Sequence, residues 1–311
     1  MSDILQTLQK RVTLLQNATR IEELPKGYSP DKKYVVYTDN KKLLLRVGDA
    51  ESYKRKKTEF QILKDMQNLK IQSPHPIDIG VIEEFNSCYN IFSFIDGIDA
   101  KDIIQSLSEE EQYKIGIEAG TQLSRMHLYK APSTINNWYD RAMKKHYRYL
   151  EAYKACGIKI KNDEKIINFI EKNKQYIKKR PNQFQHDDFH LGNIIVKDKK
   201  FAGVIDFNNF DWGDPIHDFV KVALLQRELS IPFSIGQIVG YFDENVPEDF
   251  WMLYSIYAGM VIFSSVVWSL RFVPEEVEEM IDRVYILLED HKNFETLKPA
   301  WYEPNNFQAN E

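Results

Sequence analysis

Residues 184–218, FQHDDFHLGNIIVKDKKFAGVIDFNNFDWGDPIHD, carry the densest set of side chains able to do chemistry. Asp188 and Asn193 precede a short apolar run at 194–196. A charged turn follows at 197–200, then a second apolar run at 201–207 that contains Asp206. Two such runs about a short turn read as a β-hairpin, which returns the chain to its starting end. Asp188, Asn193 and Asp206 are therefore expected to meet at one edge. Two carboxylates that close repel unless a proton or a cation lies between them. A hard cation such as Mg2+ prefers oxygen ligands and keeps water and substrate phosphate in its shell. Phosphoryl transfer needs such an ion, together with a carboxylate that orients the attacking hydroxyl and accepts its proton. On this reading Asp188 is the base, and Asn193 and Asp206 hold Mg2+.

The spacing H-x-D-x-x-x-x-N at His186, Asp188 and Asn193 is that of kinase catalytic loops, whose metal-binding Asp also follows a strand. HDDFHLGN followed by GVIDFNNFDWGDPIHD resembles the family of aminoglycoside phosphotransferases and choline kinases. That family's pattern is H-G-D-x-x-x-x-N, then I-D-x, then G-D-P-x-x-D. His186, Asp188, Asn193, Ile205, Asp206, Gly213, Asp214, Pro215 and Asp218 are kept. The chain departs at Asp187, where the family usually has Gly, and has Asn208 where protein kinases have the Gly of D-F-G. Neither departure removes a ligand or the base; Asp187 adds charge beside the metal and could tune substrate choice. The resemblance implies an α+β, bilobal, protein-kinase-like fold. Residues 1–97 form a small β-rich nucleotide-binding lobe with one main helix and a hinge at about 92–97. Residues 98–311 form the larger, mainly helical catalytic and substrate-binding lobe. ATP or GTP, with Mg2+, are the implied cofactors. His186 is expected to brace the loop rather than move protons, and Asp214 and Asp218 to tie the loop to the helix that follows.

The elements ahead of this stretch must position the nucleotide. Ile4, Leu5, Leu8, Val12 and Leu15 share one face of a helix over 2–17, and strands follow around 20–24, 32–38 and 41–47. The segment 26–34 lacks G-x-G-x-x-G; by the resemblance, Ser29 and nearby backbone N–H groups cover the phosphates. The third strand places Arg46 where kinases have a phosphate-binding Lys, and a planar guanidinium can still bind phosphate. Its expected partner is Glu59, on a helix at 52–69 whose Phe60, Leu63 and Met66 face the sheet. A hairpin at 80–95 leads into the hinge, where the backbone of Ser93, Phe94 and Ile95 is expected to hydrogen-bond the base.

From residue 98 the pattern is helical. Ser108 and Glu111 form a capping box ahead of the stripe Ile115, Ala119, Leu123 and Met126, and His127 at the helix end reads as a packed residue. Helices follow at 135–157, 163–181, 217–229, 234–242, 246–270 and 274–294. Asp243, Glu244, Glu248 and Asp249, with Asp187, are the candidate contacts to a polycationic acceptor. Trp301 and Tyr302 are read as pinning the polar tail.

The 311 residues suffice for two lobes with real cores. A net charge of −5 argues against a nucleic-acid binder. The apolar run at 256–270 is short for a membrane span and reads as a core helix. Cys88 and Cys156 form no disulfide or metal pattern, consistent with a reducing cytoplasm, and a monomer is expected. The function expected is transfer of the γ-phosphate of a nucleoside triphosphate to a hydroxyl of a small molecule. An antibiotic such as an aminoglycoside or macrolide is the first choice of acceptor, a metabolic amino alcohol or sugar the second. A reading of another class, a catalytically silent nucleotide-binding regulator, is disfavoured because Asp188, Asn193 and Asp206 are all present.

Overall fold

The computed structural model describes residues 3–25 and 30–307, so Ser29 lies outside the described residues. The chain divides into two compact units, Met1–Asp96 with Gly203–Asn208, and Gly97–Ala202 with Asn209–Glu311. Residues 203–208, which the sequence reading placed in the second segment, pack with the first unit. Val204 donates its N–H to the Gln72 carbonyl at 2.9 Å. At Gly203 a Cβ would lie 2.9 Å from the Gln72 carbonyl oxygen, backbone that cannot simply swing away, so the close approach favours glycine.

The first unit is an antiparallel sheet with helices. Strands β1 (Arg20–Glu23), β2 (Lys32–Tyr37), β3 (Lys42–Asp49), β4 (Pro76–Ile82) and β5 (Ser87–Ser93) run in the order β1-β2-β3-β5-β4. Side chains alternate between faces along a strand. Leu43, Leu45 and Val47 of β3 are buried in one apolar cluster with Leu5, Leu8, Val12 and Leu15. Those four come from α1 (Asp3–Arg11) and α2 (Thr13–Gln16), two helices rather than one because Val12 between them is extended at φ −96°, ψ 109°. Arg46 takes the opposite face of β3, where α3 (Tyr53–Met66) supplies its partner. The inner side of α3 is Lys56, Glu59, Ile62, Leu63 and Met66, with Phe60 only half-buried. A charged turn therefore precedes the apolar one, which the apolar spacing alone could not reveal.

The second unit is mainly helical. It holds β6 (Ile98–Asp99), α4 (Ala100–Ile103), α5 (Glu109–Met126), α6 (Trp138–Ala155), α7 (Asp163–Asn173), β7 (Gln183–Gln185), β8 (Ile194–Lys197), β9 (Lys200–Val204), β10 (Asp211–Gly213), α8 (Arg227–Leu229), α9 (Ile231–Tyr241), α10 (Glu248–Phe272) and α11 (Val277–Asp290). β9 starts here and ends in the first unit. The hairpin β8–β9 turns at Asp198 and Lys199, both at positive φ, the conformation a two-residue hairpin turn requires. The capping box at Ser108 and Glu111 forms as expected. The helix expected at 217–229 is irregular: 3-10 at Pro215–Phe219, a π-turn at Val222–Gln226, then α8.

α5 and α9 meet backbone to backbone. Gly116 lies against Gly236, a Cβ on Gly120 would stand 2.1 Å from the Gln237 carbonyl oxygen, and one on Gly240 would stand 2.2 Å from that of Ile117. α10 is long and apolar enough to cross a membrane by length and composition, but 72% of its most apolar window is buried within the fold. An all-round apolar helix is what a core demands. Trp301 and Tyr302 are buried, Tyr302 with its ring 4.5 Å from that of Trp251.

Candidate active site

Asp188 lies in the second unit, in the loop between β7 and β8. The loop is fixed by its own backbone. Asp218, fully buried, accepts the N–H of His186 and that of Asp187, each at 2.8 Å. His127 reaches the same Asp218 carboxylate at 3.0 Å, and its other ring nitrogen meets the Tyr241 hydroxyl at 2.8 Å. Gln226, in the π-turn, donates to the Phe189 carbonyl at 3.0 Å. His186 has no exposed surface and packs edge-on against Phe189. Asp187 sits at φ 60°, the left-handed region that favours glycine and that Asp tolerates better than most residues. That explains why its side chain can stand where the resembling family has Gly.

The Asp188 carboxylate is held from three sides. The Asn193 amide donates to the Asp188 backbone oxygen at 2.9 Å and to Oδ2 at 3.2 Å. Lys221 Nζ is 2.8 Å from Oδ1, and His190 Nε2 is 3.4 Å from it. Burial acts to raise the Asp188 carboxyl, but His190 and Lys221 overcome it and hold it well below the ordinary carboxylate range. A carboxylate offers about four acceptor positions. Three neighbours take up most of them. Asp187 lies 3.4 Å from His217 Nδ1; burial would raise it, yet His217 and Lys145 hold it down at about 2.

The first unit carries the other half of the expected set. Cross-strand register aligns Lys33 with Arg46 and Arg46 with Asn90, a polar stripe over three strands. Arg46 donates to Glu59 at 2.7 Å and to Asp31 at 3.2 Å, and Lys56 pairs with Asp31. Burial works against the Arg46 charge, but Glu59, Asp31 and Asp206 hold it on the guanidinium. Asp206 follows β9 at φ 66° and lies 3.8 Å from Lys33. Arg55 of α3 donates to the Asn208 carbonyl at 3.1 and 2.7 Å, which anchors the segment after Asp206. Left-handed backbone at a non-glycine residue is sparsely populated and clusters at working sites.

The expected residues thus form two groups: Asp188 with Asn193 in the second unit, and Arg46 with Glu59 and Asp206 in the first. At the expected hinge, the Ser93 N–H is taken by the His75 carbonyl and the Phe94 N–H by that of Lys42. Asp243, Glu244, Glu248 and Asp249 are exposed; Glu244 acts on Tyr113 and Asp249 on Arg180, so they face different neighbours. Glu248 and Asp249 also suit the first turn of α10 electrostatically. Lys221, His190, Lys33, Lys56 and Asp31 were missed from sequence. His190 had a legible signal, two residues beyond the base; the others needed the register and the fold.

Among the described residues no three His, Cys, Asp or Glu side chains gather as a metal cluster. Mg2+ does not require one, since it is commonly held by one or two protein oxygens plus water and phosphate. Asn193 fits such a donor: with its amide nitrogen on Asp188, its oxygen is the atom left for a cation.

Three solved structures illustrate the likeness. The gentamicin–APH(2")-IIa complex superposes with a TM-score of 0.66 at 16% identity, over 92% of this chain and 96% of that one. ADP-bound aminoglycoside phosphotransferase APH(2'')-Ib gives 0.65 at 16%, over 92% and 99%. The GDP complex of wild-type aminoglycoside 2'-phosphotransferase-IIIa gives 0.66 at 12%, over 90% and 96%. At such identities the likeness shows the fold alone, a kinase-like α+β fold. No curated protein matches the sequence. The sequence model of the phosphotransferase enzyme family matches residues 20–251, and the chain belongs to that family.

Proposed function

We propose that the protein transfers the γ-phosphate of ATP or GTP to a hydroxyl of a small-molecule antibiotic of the aminoglycoside or macrolide kind. The observation that carries the reading is the Asp188 carboxylate, kept ionised by Lys221 and His190 and oriented by Asn193 in a loop that Asp218 clamps. A carboxylate held that far below neutrality is a weak base. Its work is to aim the acceptor hydroxyl in line with the phosphate and to take its proton late, as a loose transition state allows. Asn193 and Asp206 would hold Mg2+, which neutralises charge on the β- and γ-phosphates when bound. Arg46, set by Glu59, would face the phosphates, and the backbone at Ser93–Ile95 the base. Asp187, Asp243, Glu244, Glu248 and Asp249 are the proposed acceptor contacts, in keeping with the acidic net charge. The chain would work as a cytoplasmic monomer.

The test is nucleotide consumption by purified protein against a panel of aminoglycosides, macrolides, choline and sugars. Turnover with an antibiotic supports the proposal. Turnover with choline or a sugar alone moves the acceptor to metabolism. Nucleotide binding without turnover on any acceptor at saturating Mg2+ would favour a silent regulator.

A further inference from the structure

The buried quartet Asp31, Arg46, Lys56 and Glu59 does more than set Arg46. All four side chains are at most 7% exposed. Glu59 holds one end of the Arg46 guanidinium, and Asp31 bridges its other end to Lys56. Of the basic run Lys54, Arg55, Lys56 and Lys57 on α3, only Lys56 is buried, one helical turn before Glu59. Gly48 makes the room, since a Cβ there would stand 2.2 Å from Asp31 Oδ1 and 3.2 Å from Lys56 Cε. Burial acts to raise the Asp31 carboxyl, but Lys56 and Arg46 hold it down and ionised.

Two features do not suit a closed ion-pair core. Arg46 Nε is buried with no hydrogen-bond partner, and so are both polar atoms of the Asn90 side chain, its cross-strand neighbour. Buried polar atoms normally find partners, so these point to a polar guest. The charges point to the same guest. Two cations and two carboxylates sum to zero, and a polyanion gains no net attraction from the quartet as it stands. With Asp31 out, the sum is +1 and Lys56 is a buried ammonium without a counter-charge, which is costly unless another anion arrives.

We propose that Lys56 is a second phosphate-binding cation of the nucleotide site, and that Asp31 occupies its ammonium as a stand-in that the nucleotide's phosphate chain displaces. The inference rests on the nucleotide-binding reading above. Glu59 stays on Arg46 throughout, so Lys56 is the cation the exchange releases. The phosphate chain meets Lys56, Arg46 Nε and the Asn90 amide together.

Titration calorimetry on the full chain tests this, with ATP, GTP, tripolyphosphate and adenosine as probes. Lys56→Met should weaken ATP and tripolyphosphate by about tenfold or more, the range of one lost charged contact, with adenosine unchanged. Asp31→Asn should tighten ATP several-fold. If Asp31→Asn alone does not fold, the double variant Asp31→Asn/Lys56→Met, free of the unpaired cation, replaces it and should bind ATP as weakly as Lys56→Met. The proposal is overturned if Lys56→Met leaves ATP and tripolyphosphate within about twofold of wild type. It is also overturned if Asp31→Asn melts like wild type yet binds ATP more weakly, which would make Asp31 a structural brace. Wild-type protein that binds neither ATP nor GTP would instead refute the nucleotide reading itself, and the inference with it.

Discussion

Asp218→Asn should loosen the loop that carries Asp188 while altering no side chain proposed to meet substrate. Asp218 Oδ1 accepts the Asp187 N–H at 2.8 Å, while Oδ2 accepts the His186 N–H at 2.8 Å and faces His127 Nε2 at 3.0 Å. An asparagine can serve one of these sides with its oxygen. Its NH2 then confronts a donor on the other. One charge-assisted bond is lost, worth about 1.5–3 kcal/mol, and the remaining two lose the ionic share of their strength. A total near 3 kcal/mol in a unit of roughly 200 residues lowers its melting temperature by about 6–12 °C. Hydrogen exchange gives the specific signature, faster exchange at the amides of His186 and Asp187 than elsewhere in the unit. If the base drifts by about 1 Å, kcat falls roughly a hundredfold, with nucleotide affinity kept. A variant melting within about 2 °C of wild type, with both amides still protected and full turnover, would refute this account of the loop.

Other outcomes follow from the same geometry. Asp188→Ala should cut turnover by about 10²–10⁴-fold and leave the nucleotide Kd nearly unchanged; normal turnover would remove Asp188 from the base role. His146 is buried among aromatic rings with neither ring nitrogen bonded, and burial pushes it from 6.5 down to about 4. The unfolded chain then binds the proton more readily than the folded one below pH 6.5, so stability is full above that pH and falls as pH drops towards 4. The loss reaches about 3 kcal/mol, and denaturant titrations of His146→Leu should show that much less acid sensitivity. Gly120→Ala forces a methyl group into the Gln237 carbonyl at 2.1 Å. It should destabilise by about 1–3 kcal/mol or more by thermal melting; an unchanged melting temperature would contradict the backbone contact between α5 and α9.

The sequence made the β8–β9 hairpin and the Asp188–Asn193 pair legible, because both depend on short-range spacing. The capping box at Ser108 and the Arg46–Glu59 pair were legible for the same reason, a strand followed by a helix with an acid at the right turn. Lys221 was not, since its meeting with Asp188 depends on the irregular turns between Pro215 and Gln226, where helical periodicity gives the wrong facing. Lys56 was hidden among four consecutive basic residues, three of them solvated. Lys33 became part of a site only through register, opposite Arg46 on the next strand. The packing of residues 203–208 with the first unit brings Gly203 and Val204 against Ile95 and Gln72, a contact between segments far apart in the chain.

A crystal structure of the wild-type protein with Mg2+ and a non-hydrolysable ATP analogue tests the central claim most directly. The account predicts one Mg2+ bound to the phosphates with the Asn193 side-chain oxygen and an Asp206 carboxylate oxygen both at about 2.0–2.1 Å. A nucleotide whose cation is held by neither residue, or whose γ-phosphate lies out of reach of Asp188, would contradict it.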